Sequence, residues 1–149
     1  MLKQLIEDDL KSAMLSGNSD VTEALKMLKA AILNKEVELG IRDSGLSDDQ
    51  VIDLLSKEAK KRLESSTVYA NAGREDQANG EKAEYELIQK YLPEQMSEQD
   101  LKVLVSQTIG DMGQVTIKDM GRVIGAVKSK AGASADGGKI AELVKQQLS

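Results

Sequence analysis

Cysteine, histidine, phenylalanine and tryptophan are all absent from these 149 residues, and proline occurs once, at Pro93. Without cysteine there is no disulfide and no thiol nucleophile. With histidine gone as well, the usual zinc ligand sets and histidine-ligated haem are excluded, so no metal site and no cofactor is expected. The side chain most often used as a general base near neutral pH is also missing. Aromatics make up only 2% of the chain, so the core must be built from Leu, Ile, Val, Met and Ala. No apolar run approaches membrane-spanning length. The start, Met1 to Asp9, carries Glu7, Asp8 and Asp9 where a signal peptide would be uniformly apolar. These features predict a cytoplasmic protein with no membrane association.

What the chain does contain favours helix. Leu, Met, Ala, Glu, Lys and Gln are strong helix formers, and strand-favouring aromatics are scarce. Apolar residues recur at helical spacing from end to end. Leu2, Leu5, Ile6, Leu10, Ala13 and Met14 form a first stripe, interrupted at Ser16-Gly17-Asn18. Asp20 with Glu23 reads as a capping box opening a long second helix through Leu25, Leu28, Ile32 and Leu39, with Gly40 at its end. Ser47 with Gln50 opens a third, carrying Ile52, Leu55, Ala59 and Leu63 towards Tyr69 and Gly73. A fourth runs from about Asp76 to Tyr91, with Gly80 as its weak point.

Pro93 disfavours helical geometry at the residue before it, making Pro93-Glu94-Gln95-Met96 the best domain boundary. Ser97 with Asp100 starts a fifth helix through Leu101, Leu104, Val105, Thr108 and Ile109. Gly110-Asp111-Met112-Gly113 reads as a turn. A sixth helix is expected from about Thr116 to Ser129, and a last one from Gly137 to Leu148 after a glycine-rich loop. The expectation is an all-α chain in two domains, four helices over residues 1–94 and three over residues 97–149.

The net charge of −5 is unevenly placed. Residues 1–96 hold 13 Lys/Arg against 19 Asp/Glu, and residues 97–149 hold 7 against 6. Any anion binding must therefore come from local clustering.

The sixth helix offers such a cluster. At about 100° per residue, Lys118, Gly121, Arg122, Gly125 and Ser129 fall in one narrow sector. Ile117, Met120, Val123, Ile124 and Val127 fall opposite. A glycine inside a helix costs about 1 kcal/mol relative to alanine, so two on one face call for an explanation. One reading is close backbone approach by a partner, with Lys118 and Arg122 as phosphate contacts. The other is close packing against a helix of the first domain.

A second candidate is the stretch from Lys128 to Lys139, in which Lys128, Lys130 and Lys139 surround glycines at a helix start, where the dipole favours anions. It is not a Walker A loop: the Gly-Lys pair is displaced by one residue, Ile140 replaces Ser/Thr, and no strand precedes it. Asp136 reads instead as the cap of the last helix.

The run Lys57-Glu58-Ala59-Lys60-Lys61-Arg62 reads as a solvated, salt-bridged helix face. Tyr69, Tyr85 and Tyr91 are the only rings able to stack on bases and are expected between helices instead, which favours shape and phosphate recognition. No nucleophile–base pair and no carboxylates around a common cleft are visible, so no catalytic residue is assigned.

Three stretches in combination resemble the YqeY family. They are Leu28-Lys29-Ala30-Ala31-Ile32, then Gly73-Arg74-Glu75-Asp76, then Tyr91-Leu92-Pro93-Glu94-Gln95-Met96-Ser97. The tail adds Asp119-Met120-Gly121-Arg122-Val123-Ile124-Gly125, Gly132, Ala135-Asp136-Gly137 and Leu143-Val144-Lys145. The chain departs from the family pattern at Gln77-Ala78-Asn79-Gly80, where a Leu-containing segment is usual.

That family is similar to the C-terminal tail of GatB, the B subunit of the tRNA-dependent amidotransferase, where the tail helps to hold the tRNA. The resemblance implies a helical N-terminal domain joined to a three-helix C-terminal one. It also implies an RNA-facing surface at Lys118, Gly121, Arg122, Gly125, Lys128, Lys130 and Lys139. The expectation is a non-catalytic module binding tRNA or other structured RNA. Alternatives are a protein-interaction adaptor at the translation machinery, or an accessory to glutamine-dependent amidation. Carbon–nitrogen ligase activity with glutamine as nitrogen donor goes with the family by similarity only, since no region here resembles an amidase or a kinase-like cradle.

Overall fold

The computed structural model describes residues 1–149, which form seven α-helices and no strands. Four helices, α1 (Leu2–Ser16), α2 (Ser19–Leu39), α3 (Asp48–Asn71) and α4 (Glu75–Gln89), lie in a compact unit spanning Met1–Leu92. Three more, α5 (Glu98–Met112), α6 (Met120–Ala131) and α7 (Gly137–Leu148), lie in a second unit spanning Pro93–Ser149. No helix is long and apolar enough to cross a membrane.

Local chemistry sets most helix ends. Gly17 takes φ 74° and Gly40 φ 68°, the left-handed turn that lets each chain leave its helix. Ser47 Oγ accepts from the Gln50 N–H at 3.2 Å while Gln50 Oε1 accepts from the Ser47 N–H at 2.9 Å, a complete capping box for α3. Ser97 caps α5 with its own hydroxyl, which accepts from the Asp100 N–H at 3.1 Å.

Two boundaries depart from the sequence expectation. The α2 cap is Asn18, which accepts from the Val21 N–H at 3.3 Å. The helix thus begins at Ser19, and Asp20 sits inside its first turn, where a negative charge still favours the dipole. Gly110 to Met112 is not a turn: α5 continues through it, and the reversal falls on Gly113 at φ 81°. Gly80 does not interrupt α4 either.

The first unit packs Ile6, Leu10, Leu25, Leu28, Ile32, Val51, Leu55 and Ile88 into one core, with Tyr85 and Tyr91 against it. Tyr91 turns its hydroxyl to the Asp9 carboxylate. Burial and that neighbouring negative charge push the phenol well above its ordinary range. Leu39 and Leu63, read as inward from spacing, are exposed. The second unit closes around Leu101, Val105, Val123, Val127, Ile140, Leu143 and Val144.

One acid is fully buried. Glu36 on α2 is 1% exposed, accepts from Lys3 Nζ at 2.8 and 3.0 Å, and receives the Leu46 N–H at 3.3 Å. These contacts supply the partners that a buried carboxylate requires.

Candidate nucleic-acid interface

The face singled out on the sixth helix is open. Thr116 and Asp119 cap each other through a short 3₁₀ turn, Ile117–Asp119, that leads into α6. Lys118 sits in that turn, exposed and outside the ion pairs of its unit. Arg122 is 63% exposed and makes one long ion pair, 3.8 Å, to Asp119. Gly121 and Gly125 are exposed between and beyond them. A Cβ added to either glycine would meet nothing within 4 Å. Ser129 extends the same side and donates back to the Gly125 carbonyl at 3.1 Å. Val123, Val127 and Ala131 are buried on the opposite side.

Ile117 departs from expectation. Spacing placed it with the core side of the helix, but the 3₁₀ turn changes the angular step and leaves it 46% exposed.

The other three predicted cations do not gather into one patch. Lys128 lies across the start of α7: a Cβ on Gly137 would come within 2.9 Å of its Cε and 3.0 Å of its Nζ. Lys130 reaches the end of α5, with Nζ 3.4 Å from both Thr108 Oγ1 and Asp111 Oδ2. Lys139 is drawn to Glu98 at 3.5 Å and Glu142 at 3.9 Å. The expected loop is shorter than its glycines suggest, because α6 runs on to Ala131 and a 3₁₀ turn occupies Gly132–Ser134. The start of α7 is already capped by Asp136, which accepts from the Lys139 N–H at 3.2 Å. The structure thus leaves Lys118, Gly121, Arg122 and Gly125 exposed and directs Lys130 and Lys139 to acids elsewhere in the unit.

The basic run on α3 is not simply a solvated face. Arg62 is only 20% exposed and turns towards α4, with Nε 3.2 Å from Glu84 and Nη1 3.7 Å from Glu81. Lys61, next to it, is exposed and pairs with Glu58 at 3.5 Å.

A family model described as YqeY-like protein matches residues 3–148. The chain belongs to the YqeY family. Among curated proteins, this YqeY chain is similar to three fungal ones, each named "Altered inheritance of mitochondria protein 41, mitochondrial". That of Eremothecium gossypii is 34% identical over 87 residues, 58% of this chain and 46% of the relative. That of Meyerozyma guilliermondii is 30% identical over 128 residues, 82% of this chain and 66% of the relative. That of Vanderwaltozyma polyspora is 29% identical over 121 residues, 77% of this chain and 64% of the relative. The YqeY chain therefore spans about half to two thirds of the length of these relatives. Their names overturn the expectation of a cytoplasmic protein, since each is described as mitochondrial. The acidic start that argued against a secretory signal says nothing about delivery to an organelle.

Proposed function

We propose that this YqeY protein is a non-catalytic RNA-binding module that holds tRNA or another structured RNA on the exposed side of α6. The observation that carries this reading is the pair Gly121 and Gly125. Both lie inside a regular helix, where alanine is the better residue by about 1 kcal/mol. Neither is needed for packing within its own unit, where an added Cβ would meet nothing within 4 Å. The absence of side chains there gives a partner access to the helix backbone, and Lys118 and Arg122 stand beside it, exposed and at most weakly paired. A ribose-phosphate strand needs just this combination: a surface it can approach closely, flanked by cations for its phosphates.

The mode is shape and phosphate recognition. Residues 93–149 contain no aromatic side chain at all, so this unit offers no ring on which unpaired bases could stack. Structured RNA, which presents its backbone and 2′-hydroxyls, fits such a surface better than an unpaired strand. The resemblance to the GatB tail points the same way. No carbon–nitrogen ligase activity is proposed for this chain; an accessory role in amidation by a partner enzyme would appear as stimulation of that enzyme.

The test is binding of bulk tRNA to the full chain across a salt series, with Lys118→Glu/Arg122→Glu alongside. Wild type should lose affinity steeply with salt, because each phosphate contact releases counterions, and the folded variant should bind far more weakly. If neither binds at low salt, the RNA reading is wrong. The adaptor reading then takes its place, favoured by Ile117, an apolar residue 46% exposed beside the glycine face. It predicts a discrete protein partner whose capture is lost on Gly121→Leu.

A further inference from the structure

The seam between α3 and α4 gathers three carboxylates around one guanidinium. Arg62 faces three carboxylates: Glu58 on its own helix at 3.5 Å, and Glu81 and Glu84 on α4 at 3.7 and 3.2 Å. All three distances exceed the roughly 2.7–2.9 Å of a tight charge-assisted hydrogen bond. Arg62, Glu58, Glu81 and Glu84 are between 17% and 33% exposed, so water screens them only in part. One oxygen of Glu81 is buried with no hydrogen-bond partner. Lys61 on α3 pairs with Glu58 from an exposed position, and α2 brings only Ala24, Met27 and Leu28 to the recess beside Arg62 and Glu84.

We propose that this seam is an acid-tightened clamp: on acidification Glu84 takes up a proton, and α3 and α4 hold together more strongly in that state. The inference is independent of RNA binding. With Glu84 neutral, two carboxylates share one guanidinium in place of three, and their mutual repulsion across the seam falls. Burial of its charge holds Glu84 above the ordinary carboxylate value; Arg62 opposes this, and neighbouring Glu81 adds a smaller upward push. A carboxyl raised in the folded state favours folding on the acid side. That gain is complete below the unfolded value of about 4.5 and is lost as the pH rises through the folded value.

The experiment compares the full chain with Glu84→Gln and Arg62→Met by thermal unfolding at pH 7.5 and pH 5, and follows the Glu84 carboxyl by carbon NMR. Glu84→Gln should raise the unfolding midpoint at pH 7.5 by about 2–4 °C and by less at pH 5. Arg62→Met should lose more at pH 7.5 than at pH 5, because protonation relieves the acids that it strands. The NMR titration should place Glu84 above a free glutamate. A Glu84 midpoint at or below that of a free glutamate overturns the clamp, as does a Glu84→Gln variant less stable than wild type at pH 7.5. If Arg62→Met does not fold at pH 7.5, the NMR titration and the Glu84→Gln midpoints still decide.

Discussion

Arg62 and Arg122 each follow a carboxylate on the same stretch of helix, Glu58 four residues before one and Asp119 three residues before the other. There the likeness ends. Arg62 is drawn between two helices of the first unit and surrounded by acids, whereas Arg122 projects from the second unit with a single long contact. The same side chain thus serves as internal glue in one place and as an available charge in the other. The surroundings decide: α4 presents Glu81 and Glu84 to Arg62, while beside Arg122 stand two glycines and a single acid, Asp119, at 3.8 Å. A net charge of −5 conceals this, because much of the acid in the first unit is already engaged with its own cations.

The largest effect that would break this comparison is on stability. Arg62→Met should destabilise the protein at neutral pH by about 2–3 kcal/mol, the cost of stranding a buried ion pair reduced for the exposure that remains. Arg122→Met should change it by no more than about 0.5 kcal/mol. Chemical denaturation of both variants reads this directly. Equal losses would mean that Arg122 is structural and that the α6 face is not free for a ligand.

The next effect is on binding. Lys118→Glu/Arg122→Glu should lower tRNA affinity at low salt by at least about tenfold and flatten the salt slope by about two. Lys130→Glu should do much less, because Lys130 is held at Asp111. Similar losses in all variants would point to a diffuse charge effect, against a site on α6.

How far the sequence could be read follows the same division between local and distant causes. Ser47, Ser97 and Asp136 are caps whose partners lie three residues away, so their helices could be placed from the chain alone. The glycine face of α6 is equally local, a matter of angular spacing within one helix. Spacing shows the Glu58–Arg62 pair within α3 but not the burial of Arg62, because Glu81 and Glu84 lie on another helix, which no spacing rule brings near. Buried Glu36 leaves no local signal for the same reason, since Lys3 is 33 residues distant. Ile117 departs from α-helical spacing because a 3₁₀ turn does not keep the step of an α-helix.

The caps offer a finer comparison between the two units. Ser47→Ala in the first and Asp136→Ala in the second should each cost about 1 kcal/mol. Ser47→Ala leaves the α6 face intact, so RNA binding should be unchanged. Asp136→Ala removes a carboxylate beside Gly138 and Lys139 at the start of α7. Unchanged affinity in that variant would confine the RNA surface to α6, whereas tighter binding would extend it to α7.

The smallest expected effect is the most discriminating, because stability and function should move in opposite directions. Gly121→Ala and Gly125→Ala each place a methyl group in open space on a helix with ordinary backbone angles. Each should therefore stabilise the second unit by about 0.5–1 kcal/mol, through the lower entropy of the unfolded chain and better helix propensity. If RNA or a protein helix approaches this backbone closely, the same methyl groups should weaken its binding, and a leucine should weaken it further. Denaturation midpoints and tRNA titrations on the same samples separate the two terms. A gain in stability with no loss of binding would mean that the glycines serve no partner and that Lys118 and Arg122 act as charges alone.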